Sequence, residues 1–390
     1  FFSMATRVVS TLKCSGGDYG HTISMGDDGY VYSYGKHKHG ATGHCDDLVF
    51  PPRRISSLRN TVIAIDTGDE YTLCLKKNGK VFAFGNNIRK EYGVKFKDYD
   101  IAEMGYTQKP HEVKLPPIKQ ITCSESSNIC LTRKGELYSF GHNNSGQLGH
   151  GDKELCKLPK KIETLKNVEF VVCGGFHSIC KTKSGEFFVW GNNTAGQLGT
   201  GNTDEHLSPY KCTNWPSNII DVKCGGSHTL VLTSSKEVYS CGSNSNGELG
   251  REIEGKFSST LQKIPNLPEI IRIECGANNS WCIDVNNNLY AFGSNEYGQL
   301  GVGDTKDRLL PVKIAIENVI DVSSGIKHTL VKTTSNEIYG MGYNRYSQLG
   351  QYHEIDFTTC DIENDMETKP IRVLEGMEDS WKTDINILPI

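Results

Sequence analysis

The fold is decided by the stretch Gly191-Asn192-Asn193-Thr194-Ala195-Gly196-Gln197-Leu198-Gly199, one copy of a unit that recurs along the whole chain. An aromatic run at residues 186–190 precedes it, and a glycine-containing turn at residues 173–178 lies further upstream. The glycine that closes the aromatic run recurs at intervals of 49 to 56 residues, at Gly35, Gly85, Gly141, Gly191, Gly242, Gly293 and Gly342. Seven copies of one unit predict a repeat protein.

Each unit contains four short apolar runs separated by turn signals. In one unit the first three runs are residues 219–222, 230–232 and 237–242. The fourth run follows a polar loop that ends Gly-x-Leu-Gly, as residues 311–314 do in the next unit. Runs of this length without a helical period predict four antiparallel strands per unit. Seven such units predict an all-β fold, a seven-bladed β-propeller of four-stranded antiparallel blades.

The repeat also bears on domain organisation. A chain of 390 residues suggests two or three domains on length alone, but a closed ring of repeats buries one continuous core. We therefore predict a single propeller over residues 4–390, with insertions at 86–109 and 351–369. Residues 1–3, which precede Met4, are interpreted as a remnant of expression.

Charge and hydropathy exclude several kinds of partner. The formal net charge of -4 argues against nucleic acid or chromatin as a main partner, because such binding needs a basic field. No apolar run approaches the roughly 18 residues that a membrane span requires. We expect an intracellular protein, nuclear or cytoplasmic, with no membrane partner.

Fourteen cysteines raise the question of disulfides or zinc. Four of them recur at one position of successive units: Cys123, Cys173, Cys224 and Cys275. Equivalent positions lie in neighbouring blades, and no C-x-x-C pair has a partner pair. We predict that these cysteines are small, reduced packing residues.

Histidines recur in the turn that follows, each before serine or threonine: His21, His177, His228 and His328. In ring order their neighbours include Tyr71, Ser127 and Asn279, which would interrupt a metal cage. Hydrogen bonds that tie one turn to the next are therefore the favoured role. A denser cluster of His37, His39, His44 and Cys45 is the alternative metal site, although its lysine-rich loop favours solvated side chains.

No motif for bond-making chemistry occurs in a suitable context. The sequence lacks a nucleophile elbow, a phosphate loop and a carboxylate pair of the required kind. We expect no catalytic residue, no metal and no cofactor, and no enzyme beyond a nucleotide exchange factor.

The fourth strand of six units carries a cation at the same position: Arg54, Lys161, Lys211, Lys263, Lys313 and Arg372. One interpretation is a basic rim for an acidic partner. The other is edge protection, since lysine and proline on an exposed edge strand block association between sheets. Edge protection is favoured.

Two loops are longer than the repeat requires. The first insertion, residues 86–109, alternates charge and aromatic rings, and its candidate contact residues are Arg89, Lys90, Tyr92, Lys95, Lys97, Asp98 and Asp100. Tyrosine and arginine are enriched at interface hot spots, so this insertion is the candidate contact loop. The second insertion, residues 351–369, is acidic, and a solvated loop is its favoured interpretation.

The turns Cys-Gly-Gly-x-His-[Ser/Thr] and the loops Gly-Gln-Leu-Gly-x-Gly-[Asp/Asn] resemble those of the regulator of chromosome condensation family. The resemblance covers nearly the whole chain and implies a seven-bladed propeller. The family's namesake is a guanine nucleotide exchange factor for the small GTPase Ran. The resemblance implies docking of one face on the GTPase and a wedge-like loop that displaces bound nucleotide.

The segment Gly68-Asp69-Glu70-Tyr71-Thr72 and the loop after Gly85 are similar to the region that carries this wedge. Asp69 is the candidate acidic contact, with Glu70 and Tyr71 beside it. In the next unit the family has an aspartate before its histidine, where this chain has Ser126-Ser127. The alternative function is a non-catalytic scaffold or adaptor that binds another protein through the same face or the acidic insertion.

Overall fold

Seven four-stranded blades form the molecule. The structure is a computed structural model that describes residues 9–14, 20–26, 29–36, 39–46, 48–87, 106–350 and 366–373. Within these residues each blade is an antiparallel sheet of four consecutive strands, and the only helix is a 3-10 helix, Ser56–Thr61. In the same residues no helix is long and apolar enough to cross a bilayer.

The strands are numbered by blade, from the ring axis outward. The first strands are Val9–Cys14, Val62–Thr67, Ile118–Cys123, Val168–Cys173, Ile219–Cys224, Ile270–Cys275 and Val319–Ser324. The second strands are His21–Gly26, Tyr71–Lys76, Ser127–Thr132, His177–Thr182, His228–Thr233, Asn279–Asp284 and His328–Thr333. The third strands are Val31–Lys36, Val81–Asn86, Leu137–Gly141, Phe187–Gly191, Val238–Ser243, Leu289–Gly293 and Ile338–Tyr343. The fourth strands are Leu48–Arg54, Tyr106–Val113, Cys156–Lys161, His206–Lys211, Phe257–Lys263, Arg308–Lys313 and Met366–Arg372.

The hydrophobic core lies between neighbouring blades. In one cluster Trp190 of blade 4 packs with Ile129 and Leu131 of blade 3. Another brings Leu12 of blade 1 against Leu330 of blade 7, so the ring is closed. Each fully buried side chain of this kind stabilises the fold by about 1.5–3 kcal/mol. The predicted seven-bladed propeller is confirmed.

The closing glycine of each unit is dictated by its backbone. All seven have positive φ angles, between 99° and 111°, which residues with a Cβ atom rarely adopt. A Cβ on Gly242 would also lie 2.5 Å from the carbonyl oxygen of Ser227. The loop after the glycine is held by its own side chains: Asn193 Oδ1 accepts the N–H of Leu198 at 3.0 Å. The stretch at residues 191–199 therefore has a structural role.

The four recurrent histidines each tie their own blade to the next one, as predicted. Their Nε2 atoms lie beside hydroxyl oxygens of the following blade, His21 to Thr72 (3.3 Å), His177 to Thr229 (3.0 Å), His228 to Ser280 (3.0 Å) and His328 to Thr22 (3.1 Å). The Thr229 hydroxyl donates its own proton to the carbonyl of Gln197 at 2.7 Å. The histidine must therefore donate from Nε2, which assigns the tautomer.

Burial keeps three of these imidazoles neutral. It lowers the pKa of His177 to about 3 and the pKa of His228 and His328 to about 4. The buried Nδ1 atoms of His177 and His228 have no hydrogen-bond partner in the described part of the chain. A proton added there would be buried without an acceptor, which disfavours the charged form.

The junction between blades 7 and 1 uses the same contacts as the others. The N–H of Cys14 donates to Ser323 Oγ at 3.1 Å, just as the N–H of Cys123 in blade 3 donates to Asp66 Oδ2 of blade 2 at 2.8 Å. The His328 contact with Thr22 crosses the same junction. The ring is thus closed by side-chain contacts between blades, and no sheet in the described residues combines strands from both ends of the chain.

Four of the six cations on the fourth strands form ion pairs within their own blades. The residue before the third strand supplies the partner, in Lys161–Glu136 (2.7 Å), Lys211–Glu186 (2.6 Å), Lys263–Glu237 (2.5 Å) and Arg372–Glu337 (3.1 Å). Blade 2 carries the same pair with the charges exchanged, Lys80 with Glu112 at 2.9 Å. These contacts link the two outer strands of a blade, so they oppose the interpretation of a basic rim and support an edge-strand role.

Candidate functional site

One side of the ring carries both features that the sequence singled out. In an antiparallel sheet of four consecutive strands, the turn after the first strand and the loop after the third strand lie at the same end. In blade 4 the N–H of Asn192 accordingly donates to the carbonyl of Phe176 at 2.9 Å. We call the side formed by these turns and loops the turn face. It includes the turn around Asp69 and both ends of the loop after Asn86.

A cavity of about 130 Å³ lies at the ring axis beneath the turn face. Its wall includes Cys14 of blade 1 and the four recurrent cysteines, Cys123, Cys173, Cys224 and Cys275. Burial raises the pKa of Cys14 and Cys173 to about 12, so these thiols stay protonated and unreactive. The sequence correctly assigned the four recurrent cysteines to separate blades, but the first strands converge and bring them, together with Cys14, to one cavity.

Two carboxylate residues line the mouth of this cavity. Asp69 of blade 2 and Glu125 of blade 3 are both half-buried, and the N–H of Asp69 donates to the carbonyl of Glu125 at 3.2 Å. A Cβ on Gly175 would lie 3.0 Å from Glu125 Oε1, so the glycine leaves room for this carboxylate. The mouth is therefore acidic on the side of blades 2 and 3. Glu125 was not predicted, because nothing in a linear repeat indicates which turns become neighbours.

The carboxylate of Glu70 binds side chains of this same chain. Its Oε2 accepts from Asn86 Nδ2 at 2.5 Å and lies 2.9 Å from His39 Nδ1 of blade 1. The His39 ring also contacts Tyr106, with centroids 5.6 Å apart. Asn86 ends the third strand of blade 2 and Tyr106 begins the fourth. The cluster therefore fixes both ends of the predicted contact loop.

Tyr71 is buried and occupies the position of the recurrent histidine. Its hydroxyl donates toward Asn128 Oδ1 at 3.0 Å and lies 3.1 Å from the carbonyl oxygens of Ser124 and Ser127. Tyrosine thus replaces histidine as the link from blade 2 to blade 3. Its ring would also collide with a Cβ on Gly68, at 2.0 Å.

The remaining predicted contact residues lie outside the described residues. They are Arg89, Lys90, Tyr92, Lys95, Lys97, Asp98 and Asp100. Most of the acidic insertion lies there too, and its last residues, from Met366, begin the fourth strand of blade 7. The assignment of these residues stays a prediction.

Charges below the mouth pair across blade junctions. Lys223 contacts Glu274 at 2.8 Å and Arg272 contacts Asp321 at 2.7 Å. Lys13 lies 3.5 Å from Asp66, and this carboxylate holds the pKa of the half-buried lysine above its usual value. These groups bind one another along the inner strands, so their charges stabilise the ring.

The alternative metal cluster is not assembled by the residues that can be described. In those residues no group of three or more His, Cys, Asp or Glu side chains could hold a metal ion. His39 approaches Glu70, whereas His44 Nε2 lies 3.3 Å from the carbonyl oxygen of Arg53. His37 lies outside the described residues.

The geometry defines a seven-bladed β-propeller with a cavity at its axis. Five stretches match the family model described as the regulator of chromosome condensation (RCC1) repeat, at residues 28–75, 134–180, 184–232, 236–283 and 286–331. These stretches cover more than half of the chain. The chain therefore belongs to this family, which confirms the resemblance inferred from its turns and loops.

The chain is similar in sequence to proteins of several kinds. The Ultraviolet-B receptor UVR8 of Arabidopsis thaliana is 28% identical over 334 residues, which cover 80% of this chain and 72% of the receptor. The regulator of chromosome condensation of Mus musculus is 27% identical, with 80% of each chain covered. The mouse X-linked retinitis pigmentosa GTPase regulator is 35% identical over 73% of this chain, but the match spans only 28% of that relative's length.

A solved structure agrees on the fold. Prp20p from Saccharomyces cerevisiae superposes with a TM-score of 0.71 and 21% sequence identity, over 81% of this chain and 80% of that one. Its crystal structure was described together with its binding properties to Gsp1p and histones. At this identity the likeness shows the fold alone.

Proposed function

We propose that this protein regulates guanine nucleotide exchange on a Ran-like small GTPase through its turn face. One observation carries the proposal: Asp69 and Glu125 stand side by side at the cavity mouth, next to the anchored ends of the 86–109 loop. Membership of the RCC1 family supports it, and so does the described binding of Prp20p to Gsp1p.

In this mechanism no covalent bond changes. The acidic mouth attracts cationic side chains of the GTPase, and the 86–109 loop presses on its nucleotide-binding region. Because the two binding equilibria are coupled, the propeller weakens nucleotide binding by the same factor by which nucleotide weakens propeller binding. Bound nucleotide therefore leaves faster from the complex.

The predicted site residues have different parts in this proposal. Asp69 is the contact residue, and Glu125 joins it. Glu70 and Tyr71 act as positioning residues, since one holds the ends of the loop and the other fixes the turn against blade 3. The charged and aromatic residues of the loop, from Arg89 to Asp100, are the proposed second half of the contact.

The test measures release of fluorescent GDP from a Ran-like GTPase. We expect acceleration by the wild-type chain and a loss of about tenfold or more with Asp69→Asn, because removing one charge from a desolvated contact costs at least about 2 kcal/mol. Glu125→Gln should have a similar effect. The matched control is Glu154→Gln, which removes an exposed carboxylate of the turn face away from the mouth.

Two results would contradict the proposal. One is the absence of acceleration at micromolar concentrations of the chain, when its thermal unfolding curve shows that it is folded. The other is equal acceleration by wild type, Asp69→Asn and Glu125→Gln. Shortening the loop to the length of the blade 3 loop separates its contribution from that of the mouth.

The second candidate is a non-catalytic adaptor. It is favoured by the range of relatives that share the repeat, which includes an ultraviolet-B receptor, and by Ser126 and Ser127, which provide no acid at the position where the family has one. An adaptor should bind its partner equally in both nucleotide states. Binding that changes with the nucleotide on the partner would instead favour the exchange regulator.

A further inference from the structure

A group of exposed cations lies on the side of the ring opposite the turn face. The turn between the second and third strands of each blade, and the linker from one blade to the next, are at this end of the sheets. We call this side the opposite face. Five exposed cations lie here on three consecutive blades, and we call them the basic sector: Lys77 of blade 2, Lys119, Arg133 and Lys134 of blade 3, and Lys183 of blade 4.

Hydrogen bonds across the blade junctions bring these cations onto one continuous surface. Arg133 donates from Nη2 to the carbonyl of Lys77 at 2.9 Å, which bridges blades 3 and 2. Lys119 Nζ donates to the carbonyl of Glu169 of blade 4 at 2.8 Å. The N–H of Lys183 donates at 2.8 Å to the carbonyl of the residue two positions before Glu169. The sector therefore runs without a break from blade 2 to blade 4.

The fold does not require a cation in these turns. In six blades of the described chain the residue after the second strand donates its N–H to the carbonyl of the residue before the first strand, at 2.8 to 3.1 Å. The donor is Lys77, Arg133 and Lys183 in blades 2 to 4, but Ser234, Val285 and Thr334 in blades 5 to 7. The bond is the same whichever side chain is present, so the three cations are an addition to the scaffold.

The charges of the basic sector are not neutralised within the described residues, where none of its five cations forms an ion pair. The acidic residues at this end of blades 2 to 4 bind other cations, in the pairs Lys80–Glu112, Lys161–Glu136, Lys161–Glu163, Lys181–Glu169 and Lys211–Glu186. A local positive field is thus maintained on a chain whose net charge is -4.

We propose that the basic sector binds a carboxylate-rich segment of a protein partner. Charge complementarity selects an acidic segment over a basic one. Each lysine presents three rotatable N–H donors on a flexible stem, so it pairs with a carboxylate in several geometries. Because the sector lies on the opposite face, its partner binds independently of Asp69. One propeller can therefore hold two partners, one on each side of the ring.

Two observations favour a protein over a nucleic acid. The net charge of the whole chain is -4, which repels a long polyanion, whereas a short acidic segment meets mainly the local field. Ile63, which is 50% exposed, is the bulged residue of the first strand of blade 2, at the position that Lys119 has in blade 3. Its apolar side chain can pack on a peptide side chain but has no counterpart in a phosphate backbone.

Fluorescence anisotropy on the full chain tests the proposal with a labelled peptide of six glutamates flanked by glycines. A glutamine peptide of the same length is the comparison, and both are measured at low and high salt. The sector variant combines Lys77→Ser, Arg133→Ser and Lys183→Ser, which insert the residue that blade 5 carries at the same position. Lys134→Ser is a second, single-site variant. Thermal unfolding curves verify that each variant is folded.

The matched control removes three exposed lysines at the turn-face end of blades 3, 5 and 6. It combines Lys157→Ser, Lys256→Ser and Lys306→Ser. The net charge changes by the same amount as in the sector variant, so only the place of the lost charges differs.

We expect the glutamate peptide to bind, with weaker binding at high salt, and the glutamine peptide to fail. An exposed ion pair contributes about two- to threefold in affinity. The sector variant should therefore bind about tenfold more weakly than wild type, and Lys134→Ser about two- to threefold more weakly. The control should bind as wild type does.

Three results would overturn the proposal. The first is no binding of the glutamate peptide to the wild-type chain at low salt. The second is equal affinity of the sector variant and the control variant, which would show that only the net charge matters. The third is tighter binding of duplex DNA, or of vesicles that contain phosphatidylserine, than of the peptide, which would identify another class of ligand.

Discussion

Lowering the pH from 7 to 5 should destabilise the propeller through the histidines that join its blades. In the folded chain the pKa of His177 is about 3, and those of His228 and His328 are about 4. In the unfolded chain their pKa is about 6.5. Between these values the unfolded chain binds protons that the folded chain does not, so the free energy of unfolding falls as the pH falls.

The size of the effect follows from the same pKa values. At pH 5 protonation of one unfolded histidine with a pKa of about 6.5 lowers the free energy of unfolding by about 2 kcal/mol. The three together account for about 6 kcal/mol, which is comparable to the whole stability of many domains. Above pH 6.5 the loss disappears, and it grows further as the pH approaches 4.

A variant isolates this contribution from the carboxylates that titrate in the same range. His228→Asn inserts the residue that blade 6 carries at the equivalent position, Asn279. Urea unfolding at pH 7 and pH 5 should show that the variant loses about 2 kcal/mol less than wild type on acidification. Adding His328→Asn should raise this difference to about 4 kcal/mol. An NMR titration of the labelled imidazoles gives the folded pKa values directly.

One result would refute this reasoning. If wild type and His228→Asn lose the same stability between pH 7 and pH 5, the imidazole is protonated in the folded chain as easily as in the unfolded one. The contact of His228 with the Ser280 hydroxyl would then not depend on a buried neutral ring. A titration midpoint near 6.5 for His228 in the folded protein would lead to the same conclusion.

Three further predictions follow from the scaffold. Gly242→Ala should lower the free energy of unfolding in urea by more than about 3 kcal/mol, because its Cβ would meet the backbone 2.5 Å away. Gly255→Ala, at a similar φ with nothing within 4 Å, should lower it by only about 1 kcal/mol. Equal losses would contradict the steric argument. Glu136→Lys and Lys161→Glu should each lower the melting temperature and restore it when combined; failure of the exchange to restore it would show that the pair contributes nothing. Of the thiols in the described residues, the exposed Cys45 should react first with a disulfide reagent, and the buried cavity thiols of Cys14, Cys123 and Cys275 only on unfolding; rapid reaction of these three thiols in the folded chain would contradict their burial.

The fold was predictable because the repeat encodes local requirements. A closing glycine such as Gly191 is needed in every blade because its φ is positive, so glycine recurs at this position of every unit. The histidines return in four of the seven units for a similar reason, because each of them bonds its blade to the next one. Requirements of this kind depend on one blade and its neighbour, and they leave a period in the sequence.

The candidate site was predictable only in part. Asp69 follows from the family resemblance, but the part of Glu70 depends on His39 and Asn86, which approach it from another blade and another strand. Glu125 stands beside Asp69 only because the inner strands converge on the axis. Lys36 of blade 1 lies over the ring of Tyr346 of blade 7, and these two residues become neighbours only when the ring closes. Such contacts leave no period in the sequence.

The exchanged charge pair of blade 2 has a consequence for assembly. The units are similar enough for a third strand to pair with the fourth strand of the wrong blade while the chain folds. Four blades place glutamate before the third strand and a cation on the fourth, whereas blade 2 has Lys80 and Glu112. A mispairing between blade 2 and any of those four would bring like charges together, which is unfavourable across strands. The exchanged pair therefore favours pairing of the two outer strands of blade 2 with each other over pairing with those four blades.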